Sequence, residues 1–107
     1  MNQRPRRLRQ SETMRALVRE HHVRADQLIL PMFVRDIDAP VAISSMPGVV
    51  QHSMKSLVAA ALESQAAGIA GVMSFGVPDD KDACGTEALS ADGILSRGIA
   101  AVRAAVG

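Results

Sequence analysis

The sequence predicts an α/β fold made of parallel strands and the helices that connect them. Two apolar runs, at residues 28–34 and 71–77, have the length and the composition of strands. The run at 71–77 is apolar on both sides of the backbone, which is typical of a strand covered on both faces of a parallel sheet. Because a helical pattern separates the two runs, we expect a parallel pair with a right-handed crossover.

The first 24 residues differ from the rest in charge. They hold seven Arg against two Glu, a net charge of +5, whereas residues 25–107 hold five Lys or Arg against nine acids, a net charge of −4. A basic arm on an acidic body suits either a nucleic acid or a second copy of the same protein. The arm lacks the interleaved aromatic residues that stack on single-stranded bases, which favours the second copy.

Within the arm, residues 4–9 contain Pro5 and show no helical period, so we predict an extended segment. Ser11 can cap a short helix with an apolar face. His21 and His22 follow that helix, and adjacent histidines point in different directions on a helix, which makes them a poor metal pair and typical surface residues.

The first strand, predicted at residues 28–34, contains Pro31, which counts against a central position in a sheet because proline lacks a ladder donor. Residues 35–52 are predicted to be irregular. Within them, Pro47 and Gly48 indicate the centre of a type II turn, with glycine supplying the positive φ.

The clearest helix follows Ser53, its predicted N-cap, and ends before Gly68, which suits the C′ position. After the second strand we predict a loop at residues 78–91 and a last helix capped by Ser90 or Asp92. The apolar face expected for that helix consists of Leu95, Ile99, Val102 and Val106.

A chain of 107 residues accommodates one domain at most. Two parallel strands are too few to form a sheet that can be covered on both faces, and α/β folds of this kind continue with more strands. We therefore expect these residues to be a piece of a larger fold. No apolar run reaches 18 residues, so no membrane span is predicted. The lone Cys84 excludes an internal disulfide and fits a reducing cytoplasm.

The loop after the second strand is where α/β folds tend to place their chemistry. Its acids could bind Mg²⁺ through oxygen ligands, but their spacing does not follow the calcium-loop pattern, and a solvated loop has the same composition. These acids are Asp79, Asp80, Asp82 and Glu87. Cys84 could act as a nucleophile, yet no His follows it in the chain, which favours an inert side chain.

The two lysines, Lys55 and Lys81, are poor candidates for Schiff-base chemistry, which needs a desolvated amine or a neighbouring cation. Lys55 falls in the exposed first turn of a helix, and Lys81 lies between Asp80 and Asp82. Phe75, near the carboxyl end of the second strand, either lines a pocket or belongs to the core.

Five short segments occur in an order and spacing that resemble one known family. They are RPRRLR at 4–9, LILPMFV at 28–34, SMPGV at 45–49, FGVP at 75–78 with KD at 81–82, and DGI at 92–94. Together they resemble the N-terminal third of porphobilinogen synthase, also called delta-aminolevulinic acid dehydratase, over nearly all of the chain.

The resemblance implies a (β/α)8 TIM barrel preceded by an arm that wraps a neighbouring subunit in a homo-octamer. Residues 1–24 would then be the arm with its short helix, and residues 25–107 the first two β/α units of an incomplete barrel. The family condenses two molecules of 5-aminolevulinate to porphobilinogen, in the synthesis of haem and other tetrapyrroles. It uses two Schiff-base lysines on later strands, and many members use Zn²⁺ or Mg²⁺.

The family's lysines, its metal-binding segment and its lid would all follow Gly107, so we expect neither a catalytic nor a metal-binding residue here, and no turnover by the isolated chain. Phe75 matches a position at the mouth of the barrel, which implies a role in the substrate pocket. The arm positions imply an oligomer interface at Arg4, Arg6, Leu8 and Arg9. The alternative is a stand-alone interaction module whose Arg-rich arm binds a protein partner or a nucleic acid.

Overall fold

A computed structural model of the chain describes residue 3 and residues 5–107. The strands are β1 (Ile29–Arg35), β2 (Val41–Ala42), β3 (Val50–His52) and β4 (Gly71–Val77). The helices are α1 (Glu12–Leu17), α2 (Met54–Ala66), α3 (Thr86–Leu89) and α4 (Ile94–Val106). In this part of the chain, none of the helices combines the length and the hydropathy needed to span a membrane.

The four strands form one mixed sheet in the order β2-β3-β1-β4. β1 and β4 are parallel along their whole length, from Ile29 beside Gly71 to Arg35 beside Val77, which confirms the predicted parallel pair. β3 is parallel to β1 on its other side, and β2 is antiparallel to β3. The prediction that residues 35–52 are irregular was wrong, because strands of two and three residues are too short to show a period in the sequence.

Pro31 lies in β1 although that strand is central in the sheet. Pairing with β3 begins only at Phe33, so at Pro31 the strand has a neighbour on one side, β4. A proline is tolerated where a strand has an open edge, since the ladder there needs fewer donors.

Helix α2 has both of its predicted ends. The Ser53 hydroxyl accepts a hydrogen bond from the backbone N–H of Ser56 at 3.2 Å. At the other end Gly68 has φ +80°, and its N–H donates to the Gln65 carbonyl at 3.0 Å, while the Ile69 N–H donates to the Ser64 carbonyl at 3.1 Å. This Schellman arrangement requires the left-handed conformation that glycine adopts without strain, and it turns the chain directly into β4.

The core lies between one face of the sheet and the two long helices, α2 and α4. Val34 of β1 and Leu57 of α2 are completely buried. The other buried apolar side chains are Met32, Ala61, Ile94 and Val102. The opposite face of the sheet carries Met73, which is 51% exposed, so within the described residues the helices cover only one face of β4.

Helix α4 differs from its prediction in its cap and in part of its buried face. Its N-cap is Gly93, which has no side chain to supply a cap, whereas the Ser90 hydroxyl accepts from the backbone N–H of Asp92 in the preceding turn. Of its predicted apolar face, Val102 is buried and Val106 packs against the core, but Ile99 is 52% exposed. Ile94 and Gly98 are buried as well. The face is set by Gly98, where a Cβ atom would lie 3.2 Å from the Leu57 side chain and 3.3 Å from that of Val34.

Residues 78–91, predicted as a loop, contain the short helix α3. A helix of four residues is too short to show a helical period in the sequence. The predicted type II turn, in contrast, is present: Gly48 has φ +80°, and the Val49 N–H donates to the Met46 carbonyl at 3.0 Å.

The N-terminal arm projects from the packed body. Ser11 caps α1 as predicted, accepting from the Met14 N–H at 3.1 Å, but Arg7–Arg9 form a 3₁₀ turn rather than an extended segment. No side chain is buried between residues 5 and 31. The radius of gyration of the chain is 20.3 Å, whereas a compact chain of this length has about 13 Å.

We predict that Gly76→Ala destabilises the fold and that Gly71→Ala in the same strand does not. A Cβ atom at position 76 would lie 2.8 Å from the Cβ of Leu95, so strand and helix must separate, whereas nothing lies within 4 Å of a Cβ at position 71. Overpacking of this kind costs about 1–3 kcal/mol. Urea denaturation of the protein carrying each substitution measures the free energies of unfolding; equal values for the two variants would contradict the prediction.

Candidate functional site

The candidate site lies where the two long strands end. Because β1 and β4 are parallel and in register, Arg35 and Val77 end side by side, and the segments that follow them begin at the same edge of the sheet. Ligands of open and closed α/β sheets bind at the carboxyl ends of the strands. The uncovered face of the sheet leads to this edge.

Two aromatic rings lie on the uncovered face. Phe33 and Phe75 are direct neighbours across the ladder, and their rings stack with centroids 5.6 Å apart at an angle of 30°. Phe75 is 44% exposed, so it does not belong to the core between sheet and helices. Its role in a substrate pocket stays a prediction. Phe33 was not predicted as a site residue, although the alternation along β1 places it on the same face.

Arg35 continues this face to the edge of the sheet. Its Nε donates to Asp79 Oδ1 at 3.0 Å, and its Nη1 lies 3.5 Å from Gln51 Oε1, a long contact. The guanidinium of Arg35, at the end of β1, thereby contacts both β3 and the segment that follows β4. Arg35 was not predicted as a site residue, because its carboxylate partner is 44 residues away along the chain.

A second ion pair crosses the same edge. Arg97 in the first turn of α4 donates from Nη2 to Asp36 Oδ2 at 3.1 Å, and its Nε donates to the carbonyl oxygen of Asp92 at 3.0 Å. Between the two pairs lies a cavity of about 150 Å³, whose lining includes Asp80 and Glu87. Exposed ion pairs contribute about 0–1 kcal/mol each, so this edge is held weakly.

The acidic loop is organised by hydrogen bonds within itself. The Asp82 carboxylate accepts from the backbone N–H groups of Cys84, at 3.2 Å, and Thr86, at 2.9 Å, and from the Thr86 hydroxyl. These hydrogen bonds lower the pKa of Asp82, the one from the Thr86 hydroxyl most and the one from the Thr86 backbone N–H next. Asp82 therefore caps α3 as a charged group.

The resemblance to the synthase family implies Zn²⁺ or Mg²⁺, and the described residues do not fit such an ion. Over residue 3 and residues 5–107, no three His, Cys, Asp or Glu side chains come together in a group that could hold a metal. The Mg²⁺ interpretation of the acidic loop therefore finds no ligand set here.

The remaining residues considered as candidates from the sequence lie away from the carboxyl edge of the sheet or are exposed to solvent. Lys55, Lys81 and Cys84 are exposed, as are His21 and His22 of the arm. Both lysines thus lack the desolvation that Schiff-base chemistry requires. Arg6, Leu8 and Arg9 are exposed on the arm, and Arg4 lies outside the described residues.

His52, at the end of β3, belongs to the same edge as Arg35. Its Nδ1 lies 3.0 Å from the Ser56 hydroxyl, and partial burial lowers its pKa, so the ring is neutral at physiological pH. The sequence offers no signal for this histidine, because its strand is three residues long.

Comparisons with known proteins give one consistent result. The family model for delta-aminolevulinic acid dehydratase matches residues 2–107. A delta-aminolevulinic acid dehydratase of Streptomyces coelicolor is 50% identical over 97% of this chain and 32% of its own length, and one of Mycobacterium tuberculosis is 53% identical over 88% and 30%. The chain thus spans about a third of the length of the curated relatives that it matches.

Among solved structures, this chain is similar to the delta-aminolevulinic acid dehydratase (porphobilinogen synthase) of Toxoplasma gondii, crystallised in complex with the reaction product porphobilinogen. The TM-score is 0.86 at 38% sequence identity, over 99% of this chain and 31% of the other. The fold described above is therefore also that of a part of the Toxoplasma protein.

We predict that Thr86→Val raises the pKa of Asp82 towards its usual range, and that Thr86→Ser does not, because serine retains the hydroxyl donor. The pKa of Asp82 is lower in the folded state than in the unfolded state, so its charge stabilises the α3 turn at neutral pH. That stabilisation is lost as the pH falls through the folded-state pKa. A carbon-detected NMR titration of the carboxyl group measures both variants; an unchanged pKa in Thr86→Val would contradict the assignment.

Proposed function

The chain belongs to the delta-aminolevulinic acid dehydratase family, as its five segments predicted, and we propose that it forms part of a porphobilinogen synthase, which condenses two molecules of 5-aminolevulinate to porphobilinogen. In this role it serves the synthesis of tetrapyrroles, haem among them. Family membership favours this function over a stand-alone interaction module that binds a protein or a nucleic acid through its Arg-rich arm.

One observation carries the proposal: nearly the whole chain superposes, at 38% identity, on part of a porphobilinogen synthase whose crystal structure holds the product porphobilinogen. Similarity at this level of identity supports a common substrate class as well as a common fold. The substrate is then a small ketone with an amine and a carboxylate, bound at the carboxyl edge of the strands.

The uncovered face of the sheet would be the inner wall of a (β/α)8 barrel. In such barrels the helices cover the outside and the strands turn their other face inwards, with the active site at the carboxyl ends of the strands. Both long helices here lie on one side of the sheet, and the stacked Phe33 and Phe75 lie on the other. Phe75 would then line the substrate pocket with its exposed edge.

The amines that bind the substrates would come from residues of the full-length protein outside this chain. Lys55 and Lys81 are solvated, and neither lies on the uncovered face, so the 107 residues by themselves are expected to be inactive. The same holds for Zn²⁺ or Mg²⁺: the ligands of any such ion would also lie outside the described residues. This chain would contribute binding surface and orientation.

We further infer that the arm contacts a neighbouring subunit, in an octamer if the family pattern holds, and that the protein acts in the cytoplasm. Between residues 5 and 31 no side chain is buried, so the arm gains little from its own chain. Its Arg6, Leu8 and Arg9 are exposed, and the body of a second copy carries the opposite charge. Arg4 would extend the same interface.

A colorimetric porphobilinogen assay tests the proposed activity. The full-length gene product is expected to form porphobilinogen from 5-aminolevulinate, and the 107-residue polypeptide is expected to form none. Lack of product from the full-length protein would contradict the proposed function, and product from the short polypeptide would contradict the assignment of the lysines to another part of the protein.

In the full-length protein we predict that Phe75→Ala lowers kcat/KM for 5-aminolevulinate about five- to tenfold, because a substrate contact and an aromatic pair of about 0.5–1.5 kcal/mol are lost. Leu62→Ala is the matched control, since Leu62 is also 44% exposed but lies on α2. Steady-state kinetics compare the two; equal effects would exclude Phe75 from the pocket.

For the arm, we predict that the double substitution Arg6→Glu and Arg9→Glu lowers the size of the assembly, because it reverses two charges that face an acidic body. Lys55→Glu, which reverses one exposed charge on the body, is the control. Sedimentation velocity at low and high salt reports the assembly; an unchanged size in the double variant would contradict an interface at the arm.

A further inference from the structure

The segment between Pro78 and Gly93 is attached at both of its ends to two consecutive residues at the end of β1. Its first residue, Asp79, accepts from Arg35 at 3.0 Å. At its far end, Arg97 donates to the carbonyl of Asp92 and, at 3.1 Å, to the carboxylate of Asp36. The neighbouring side chains Arg35 and Asp36 thus fix where the segment leaves the sheet and where it returns.

Hydrophobic packing does not hold this segment. Every residue from 79 to 92, a stretch that the structure describes completely, is exposed or only partly buried. Its internal hydrogen bonds, from Cys84 and Thr86 to Asp82, shape α3 but do not connect it to the sheet. Loops with few buried contacts belong to the least stable parts of a protein, so two charged contacts can decide where the segment lies.

Arg35 connects this segment to the aromatic pair. It follows Phe33 by two residues on the same face of β1, and Val77, its neighbour across the ladder, follows Phe75 by two. Asp79, which binds Arg35, follows Val77 by two residues. It therefore lies just beyond the carboxyl edge of the sheet, next to the face on which Phe75 is exposed. The contact to Gln51 connects the same guanidinium to β3.

We propose that Arg35 is a positioning residue for the synthase reaction: through Asp79, with the Arg97–Asp36 pair as the second attachment, it holds the segment 79–92 at the mouth of the substrate pocket. This inference rests on the proposed function. The attachment sets the fraction of molecules whose pocket mouth is ordered for binding, and the apparent affinity for substrate falls in proportion to that fraction. Saturating substrate restores the ordered state, so KM changes and kcat does not.

The test compares Arg35→Met with the charge exchange Arg35→Asp/Asp79→Arg in the full-length protein. Arg103→Met is the matched control, because it removes an exposed arginine from the last turn of α4, away from the sheet edge and from the arm. Two properties are measured: steady-state kinetics with 5-aminolevulinate, and amide hydrogen exchange across residues 80–91, which requires no activity.

Arg35→Met is expected to raise KM about two- to fivefold, the range of one exposed ion pair, at unchanged kcat, and to accelerate exchange in the segment. The charge exchange is expected to restore both properties, and Arg103→Met to leave both unchanged. If the charge exchange restores both properties, Arg35 acts by positioning the segment. An arginine that bound the substrate directly could not be replaced by an aspartate.

Three results would overturn the inference: exchange and KM in Arg35→Met equal to those of the control, a fall in kcat at constant KM, or failure of the charge exchange to restore either property. If the unmodified protein forms no porphobilinogen while Arg35→Met still accelerates exchange, the proposed function fails and the attachment of the segment remains.

Discussion

The parallel ladder between β1 and β4 assigns each side chain of these strands to one of two environments. Met32, Val34 and Val72 face the helices and form the core, whereas Phe33 and Phe75 face away from it. A shift of one residue in either strand would exchange the two sets and bury the wrong one. The short connection after α2 fixes this register, because the Schellman turn at Gly68 leads into β4 within three residues.

Stability and the proposed function therefore draw on different faces of the same sheet. The packed face depends on the close approach of α4 to the sheet. Gly98 packs against Val34, Leu95 packs against Gly76, and no larger side chain fits at either glycine without movement. The other face and its carboxyl edge rely on one aromatic pair and two exposed ion pairs, which are individually weak. Weakly held segments at the end of rigid strands are common where ligands bind.

Much of the body follows from local sequence signals. The strands observed at 29–35 and 71–77 were predicted at 28–34 and 71–77, and the caps of α2 and the turn at Gly48 were predicted too, because each depends on a few adjacent residues. What was missed depends on partners distant in sequence: β3 exists because it pairs with β1, and the face of α4 is set by contacts of Gly98 with β1 and α2. The role of Arg35 at the edge has the same origin.

The candidate site was predictable only in part. Its location at the ends of the strands, and Phe75 within it, followed from the order of elements and from the resemblance of five segments to one family. Composition alone left the basic arm open to two kinds of partner, and the acidic loop open to a metal, because charge counts do not report which side chains come together.

We propose that the face carrying Phe33 and Phe75 forms the wall of a pocket that holds porphobilinogen. A crystal structure of the full-length protein with bound porphobilinogen tests it most directly. We expect the product to lie on this face at the carboxyl edge, with the ring of Phe75 within van der Waals contact. Product bound elsewhere, with the Phe75 ring enclosed by protein side chains, would contradict it.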